Sequence, residues 1–258
     1  NFYKEGLGLF LKQIFYSIAE KELCYDGCPG TILGCLLKPE GSAQSLRMAK
    51  FIVREIRDGQ DVESISDSII NGFGKGFHST PFSFKLSDQP FLGNKNAKIV
   101  IVEFADFRCG HCALAHLLLT DLLKTQKDKV KLYFKYYPLN NNESSTRLAI
   151  SAEAAKKQQK FWEMHDILFS NQENLVMKEP IPDEDIYALA QKAGLNIKKF
   201  KKDFADPKTR EAVLDNKQEG MASEVEGTPS FYISGRPFGF RKTMENFIDR
   251  IEMEQERQ

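Results

Sequence analysis

Nowhere does an apolar run reach the ~18–20 residues that a helix needs to cross a bilayer, which excludes a membrane-spanning helix within these residues. Neither sign of charge is in excess, since 36 basic residues balance 36 acidic ones. A zero balance removes the electrostatic reason to expect nucleic acid or an anionic membrane surface as a partner. The glycines around Gly72, Gly74 and Gly76 are followed by no Gly-Lys-Ser/Thr and preceded by no strand, which excludes a phosphate loop. Methionine is missing from the first position. Asn1 there reads as a processed or trimmed N-terminus, so a signal or membrane anchor before it would not be seen. What is present suffices for a core: the chain is 41% hydrophobic and 11% aromatic over 258 residues, enough for one large domain or two modest ones.

Three blocks follow from the patterning. Residues 1–72 read as a small all-helical N-terminal domain. "FLKQIFYSIAEKEL" and "SLRMAKFIVREIRDG" space their apolar residues for amphipathic helices, the second stopping at Gly59. "DVESISDSIINGFG" predicts a third helix, with Asp61 or Ser64 as its cap. Residues 73–97 read as a linker rich in Gly, Pro, Ser and Asn, with a short strand at "FSFKL". Residues 98–258 alternate: strand "KIVIVEFADF", helix "CALAHLLLTDLLKT", strand "KVKLYFKYYPL". That is a βαβ unit with parallel pairing and a right-handed crossover. A helical insertion over about 139–226 follows, then a hairpin around Ser234-Gly235 and a last helix at "KTMENFIDRIEME". The fold class is α/β with one central sheet. The lysine-rich "KKFKK" and "KKQQK" read as solvated helix faces.

The five cysteines are an odd count: Cys24, Cys28 and Cys35 cluster early, and Cys109 and Cys112 stand apart. Cys109-Gly-His-Cys112 sits where the first strand of the α/β block ends and its helix begins. A helix start presents unsatisfied N–H groups and about half a positive charge, so a thiolate at Cys109 is stabilised and its pKa falls below ~8.5. Cys112, one turn in, is more shielded and keeps a higher value. The pair is therefore a nucleophile and a resolver. His111 faces the same helix start and adds positive character near Cys109. A structural disulfide closing so small a loop would remove little chain entropy. A zinc half-site would need a second ligand pair, for which the second half offers His116 and His165. Haem attachment wants a histidine straight after the second cysteine, where this chain has Ala113. A working dithiol is the reading these comparisons favour. It needs no bound cofactor, because the dithiol itself carries two electrons, and no metal is assigned.

"VEFADFRCGHC", followed downstream by "EGTPSFYISG", resembles the thioredoxin superfamily, and more narrowly its DsbA/BdbD-type thiol–disulfide oxidoreductases. "PFLGNKNAKIVIVEFADFRCGHC", "KYYPL", "QQKFWEMHDILF" and "GLNIKKFKKDF" read as successive blocks of that family, over roughly residues 88–252. The resemblance implies a thioredoxin fold with an inserted helical subdomain. It also implies that Thr228-Pro229 is the family's cis-proline, presenting backbone to a bound extended peptide, and that Glu103 is its buried acid, exchanging the proton of Cys112. Lys135 on the second strand is a candidate partner for that acid; the alternative is an outward surface lysine. The Gly-His between the cysteines is the dipeptide of protein disulfide isomerases, whereas the strongest bacterial oxidants carry Pro-His. The implied poise is intermediate, with oxidase or isomerase favoured over reductase. Implied partners are cysteine-containing protein substrates and a redox protein, in the membrane or outside it, that resets the dithiol; implied placement is periplasmic or otherwise extracytoplasmic.

"LCYDGCPGTILGC" with the helices after it, residues 20–75, is similar to the small helical thiol domain of the cytochrome c maturation protein CcmH. Here three residues, Asp26 among them, separate Cys24 from Cys28, where that domain has Cys-x-x-Cys. Three readings stay open: a disulfide among Cys24, Cys28 and Cys35, structural or exchanging with Cys109–Cys112; a soft-metal site of all three with His78; or thiols without chemical duty. The apolar stripe of residues 1–22 reads equally as a face for a second copy or for its own domain, and a continuation from a missing anchor is the third reading. A cytochrome-maturation or metal-delivery binding protein is the alternative function.

Overall fold

The computed structural model describes residues 8–25, 28–38, 43–76 and 79–257. His78 and Asp26, raised above in connection with the early cysteines, lie outside them, as do the first seven residues. The chain divides into two compact units, one of Asn1–Thr80 with Arg236–Arg241, the other of Pro81–Gly235 with Lys242–Gln258.

The first unit is helical: α1 (Leu9–Ala19), α2 (Ile32–Leu36), α3 (Ala43–Arg57) and α4 (Val62–Ser68), the last running into a wider π-helical stretch, Ile69–Lys75. Asp61 is the cap of α4, its carboxylate accepting from the Ser64 amide at 2.8 Å. Gly59 takes φ +78° where α3 stops, a left-handed turn that glycine adopts without a Cβ clash. The core gathers Phe15, Ile18, Met48, Ile52, Ile65 and Ile69, all buried. Phe240 joins it from late in the sequence, its ring 5.4 Å from Phe51 and 4.9 Å from Phe73, edge to face.

The second unit is built on strands β1 (Phe91–Gly93), β2 (Ile99–Ala105), β3 (Val130–Tyr136) and β4 (Ser230–Ile233). They lie in the order β1-β3-β2-β4. β2 and β3 pair in parallel, and helix α5 (Gly110–Gln126) connects them, the βαβ unit expected from the pattern. β1 on β3 and β4 on β2 are antiparallel. The helices α6 (Glu143–Lys156), α7 (Phe161–Ser170), α8 (Gln172–Val176), α9 (Asp183–Lys192), α10 (Ile197–Phe204) and α11 (Pro207–Ala222) form the insertion. Past the turn at Ser234-Gly235 comes the two-residue strand β5 (Arg236–Pro237), counted with the first unit, and α12 (Met244–Glu256) belongs to the second again. This is the α/β architecture with a helical insertion that the sequence patterning predicts.

Two details differ from expectation. "FSFKL" forms no strand. Its Phe82 amide donates to the Gly235 carbonyl at 2.8 Å and its Lys85 amide to Glu219 Oε1 at 2.7 Å, while Phe82, Phe84 and Leu86 pack on Phe104 and Tyr232. A turn and a side chain satisfy these amides, so no ladder is needed. The strand in this stretch is instead Phe91–Gly93, three exposed residues with no alternation to reveal them.

Candidate active site

The site assembles at the C-terminal end of β2. Alternation along this strand sends Val102 and Phe104 to one face and Glu103 and Ala105 to the other, under α5. After β2 the chain turns at Asp106. Its carboxylate accepts from the Arg108 amide at 2.8 Å and the Leu139 amide at 2.9 Å, while its carbonyl accepts from the Cys109 amide at 3.0 Å. Cys109 is thereby set as the N-cap of α5, half-buried, and Cys112 falls one turn in, with no exposed surface.

Their environments pull the two thiols apart. Cys109 is brought down to about 5. The first cause is a hydrogen bond from the Cys112 thiol; the Thr228 side chain and the amides of Cys112 and His111 add to it, against partial burial. The helix start therefore contributes, but the partner sulfur contributes more than the dipole argument alone foresees. As a thiol, Cys109 donates to the Thr228 carbonyl at 3.2 Å, a contact given up on ionisation. Burial first, then the bond to Cys109, drives Cys112 far above the usual thiol range. Glu103 is buried beneath, and burial raises its carboxyl to about 8; its Oε1 has no hydrogen-bond partner.

The Thr228–Pro229 peptide bond is cis. Both residues line a cavity of about 430 Å³ together with His111, Leu114, Ala115, Leu118 and Lys242. So Cys109, Cys112, His111, Thr228 and Pro229 come together, with Glu103 inside. Lys135 does not join Glu103. In the β2–β3 register it lies opposite Phe104, on the other face of the sheet, where it forms a buried ion pair with Glu219. Among the early cysteines, Cys28 and Cys35 are joined in a disulfide, Cα atoms 6.2 Å apart, and Cys24 is buried.

Sequence reasoning missed the residues that hold the turn. Gln172 Nε2 donates to the carbonyls of Phe107 and Cys109 at 2.8 and 2.9 Å. The Arg108 guanidinium reaches Asn142 at 2.9 Å, the Val176 carbonyl at 3.1 Å and Glu179. Hydrogen bonds from Ser144, Asn142 and Arg108 keep Glu179 down at about 2. Lys242 was also missed. Burial lowers its ammonium, while the charges of Cys112 and Cys109 favour it. None of these carries a motif; each is 34 or more residues from its partner in the chain.

A family profile described as thioredoxin matches residues 85–252. The "Probable disulfide bond formation protein D" of Bacillus cereus is 30% identical over 159 residues, covering 59% of this chain and 73% of that protein. The chain belongs to the thioredoxin family, in its DsbA/BdbD branch. The oxidised BdbD structure of Bacillus subtilis shares the fold, with a TM-score of 0.57 at 20% identity over 69% of this chain and 98% of that one. The "Na(+)/H(+) antiporter NhaA 3" of Salinispora tropica is also 30% identical, over 56% of this chain, but the match spans about a fifth (21%) of the antiporter's length. No helix among the described residues is long and apolar enough to cross a membrane.

Proposed function

We propose that this member of the DsbA/BdbD branch is a thiol–disulfide oxidoreductase acting on cysteine-containing proteins outside the cytoplasm. The observation that carries the reading is the asymmetry of the dithiol: a half-exposed Cys109 held near 5 beside a buried Cys112 pushed strongly upward. In the oxidising direction a substrate thiolate attacks Cys109 of the Cys109–Cys112 disulfide, Cys112 leaves and Glu103 supplies its proton. A second substrate thiolate then attacks the substrate sulfur of the mixed disulfide. Cys109 departs as a thiolate, and the two electrons rest in the dithiol. In this reading an extended substrate lays its backbone along the cavity beside Thr228–Pro229. A stabilised Cys109 thiolate favours the reduced form, which makes the pair oxidising. Thioredoxin, with a nucleophile near ~7 and a potential of about −270 mV, and DsbA, near ~3.5 and about −120 mV, set the trend, and Cys109 near 5 lies on the oxidising side of thioredoxin. That favours oxidase or isomerase over reductase, with a separate redox protein resetting the dithiol.

The test is a redox titration of Cys109–Cys112 beside insulin-reduction and scrambled-ribonuclease assays. A potential above about −220 mV with refolding activity lost in Cys109→Ser supports the reading, since thioredoxin-like reductants lie lower. A potential near −270 mV with rapid insulin reduction overturns the oxidising direction. A cytochrome-maturation or metal-delivery role with cysteine ligands is weakened by the Cys28–Cys35 disulfide, which occupies two of the three early sulfurs. For assembly, the exposed Leu9 and Phe10 of α1 are the face that a second copy would cover; sedimentation of the full chain as a monomer rejects that pairing.

A further inference from the structure

On the other side of the catalytic helix, away from the cis-proline cavity, lies a larger one of about 800 Å³. Its lining includes Glu103, His116, Trp162, His165 and Asp166. His116 is on α5, one turn beyond Cys112; His165 and Asp166 are on α7. His165 Nδ1 lies 2.9 Å from Asp166 Oδ1, and His116 Nε2 lies 3.8 Å from the same oxygen. One ligand atom from each residue can be chosen so that all three lie within 4.8 Å of one another. An ion that binds nitrogen and oxygen at about 2.0–2.2 Å holds its ligand atoms about 3–3.5 Å apart, so this spacing needs only small side-chain shifts.

We propose that His116, His165 and Asp166 form a binding site for a divalent transition-metal ion of the zinc class, with its open position facing the cavity that contains Glu103. Two imidazoles and a carboxylate are a donor set that first-row ions such as Zn²⁺ bind in preference to Mg²⁺ or Ca²⁺, and three protein ligands leave a position for water. His165 Nδ1 and Asp166 Oδ1, 2.9 Å apart, share a hydrogen that a bound ion would displace, so binding would release a proton or move it to the other ring nitrogen. The His165 ring is held by Phe107, Phe134, Phe161 and Phe169, so its position is set before any ion arrives. The independent observation is Glu103. It is 3% exposed, it lines the same cavity, and its Oε1 lacks a partner. A water on the open position of a bound cation is the kind of donor that such an oxygen calls for. The site uses no sulfur and is separate from the dithiol, to which the sequence assigns no metal.

The test uses the full chain as Cys109→Ser/Cys112→Ser with Cys28–Cys35 intact, stripped by chelator and titrated with Zn²⁺ in a calorimeter. One ion per chain at micromolar affinity or tighter is expected, together with a Zn²⁺-dependent rise in melting temperature. Co²⁺ in its place should give a visible d–d spectrum without a thiolate charge-transfer band. Loss of an outer-shell partner typically costs about 10–100-fold in metal affinity, so His116→Gln and Asp166→Asn, which remove ligands outright, should each weaken binding at least about tenfold. Both side chains are partly exposed, and each variant's metal-free melting temperature checks its fold. His165 is left in place because its truncation would open the core. Absence of saturable binding, a sulfur band in the Co²⁺ spectrum, or affinity unchanged in a folded His116→Gln variant would overturn the site.

Discussion

At the scale of single residues, the dithiol works through one sulfur donating to another. If the Cys112 thiol is the largest stabiliser of the Cys109 thiolate, Cys112→Ala should move the midpoint of Cys109 alkylation upward from about 5 by on the order of one pH unit, and an unmoved midpoint would leave the credit with the helix-start amides. Glu103 gives the second residue-scale prediction. Its carboxyl titrates at about 8 in the fold and at ~4.3 in the unfolded chain. Between those values the folded state keeps a proton that the unfolded state has lost. Glu103 therefore adds stability below pH ~4.3 that is lost as pH rises toward about 8, on the order of 2–4 kcal/mol by neutrality. Urea denaturation at pH ~5 and ~8 should show that slope in the parent and a flatter one in Glu103→Gln. Gln also buries an amide, so the slope is the readout and not the absolute stability. Equal slopes in the two proteins would mean that Glu103 is ionised in the fold at neutral pH.

At the scale of elements, the start of α5 is held by side chains from well outside it. Gln172→Ala takes a donor from two carbonyls at once, those of Phe107 and Cys109, and should cost about 1–2 kcal/mol in chemical denaturation while changing the Cys109 alkylation rate. A stability loss with an unchanged rate would make Gln172 a packing residue alone. The dithiol itself was legible because strand, Cys-x-x-Cys and helix are contiguous, so local periodicity places the sulfurs at a helix start. Its supports were not legible, because Gln172 and Glu179 come from the insertion and meet the turn only after folding. Lys135 shows the limit most clearly. A strand alternates faces with period two, so pairing Glu103 with Phe134 rather than Lys135 puts that lysine on the opposite side. Neither strand's own sequence reveals that register. There Lys135, 1% exposed, depends on Glu219 from α11, 84 residues later. Glu219→Ala leaves a buried ammonium uncompensated and should cost about 3 kcal/mol or more by denaturant titration. Lys135→Met should cost less, because Glu219 retains contact with solvent; the reverse order would count against burial as the cause.

At the scale of the whole molecule, the order of residues along the chain and the membership of the units part company. The sequence suggests successive blocks, and the helical periods of the first are visible in it because each apolar stripe is local. What no local pattern shows is that Arg236–Arg241, just beyond the β4 turn, belongs with the first eighty residues. Phe240 packs on Phe51 and Phe73, and Arg241 bonds Glu55 at 2.7 Å and Asp58 at 2.5 Å. A fragment starting at Pro81 keeps the Cys109 surroundings but strips these partners from Phe240 and Arg241. Its alkylation midpoint should stay at about 5, since Cys112, Thr228 and the amides of α5 are all retained. Its 236–241 segment, left with an apolar ring and no core to bury it in, should become a site of rapid proteolysis that the full chain protects. Limited digestion followed by mass spectrometry separates the outcomes. Cleavage in that segment for the fragment alone supports the division into units, whereas equal resistance in both proteins would mean that the segment draws its order from the second unit.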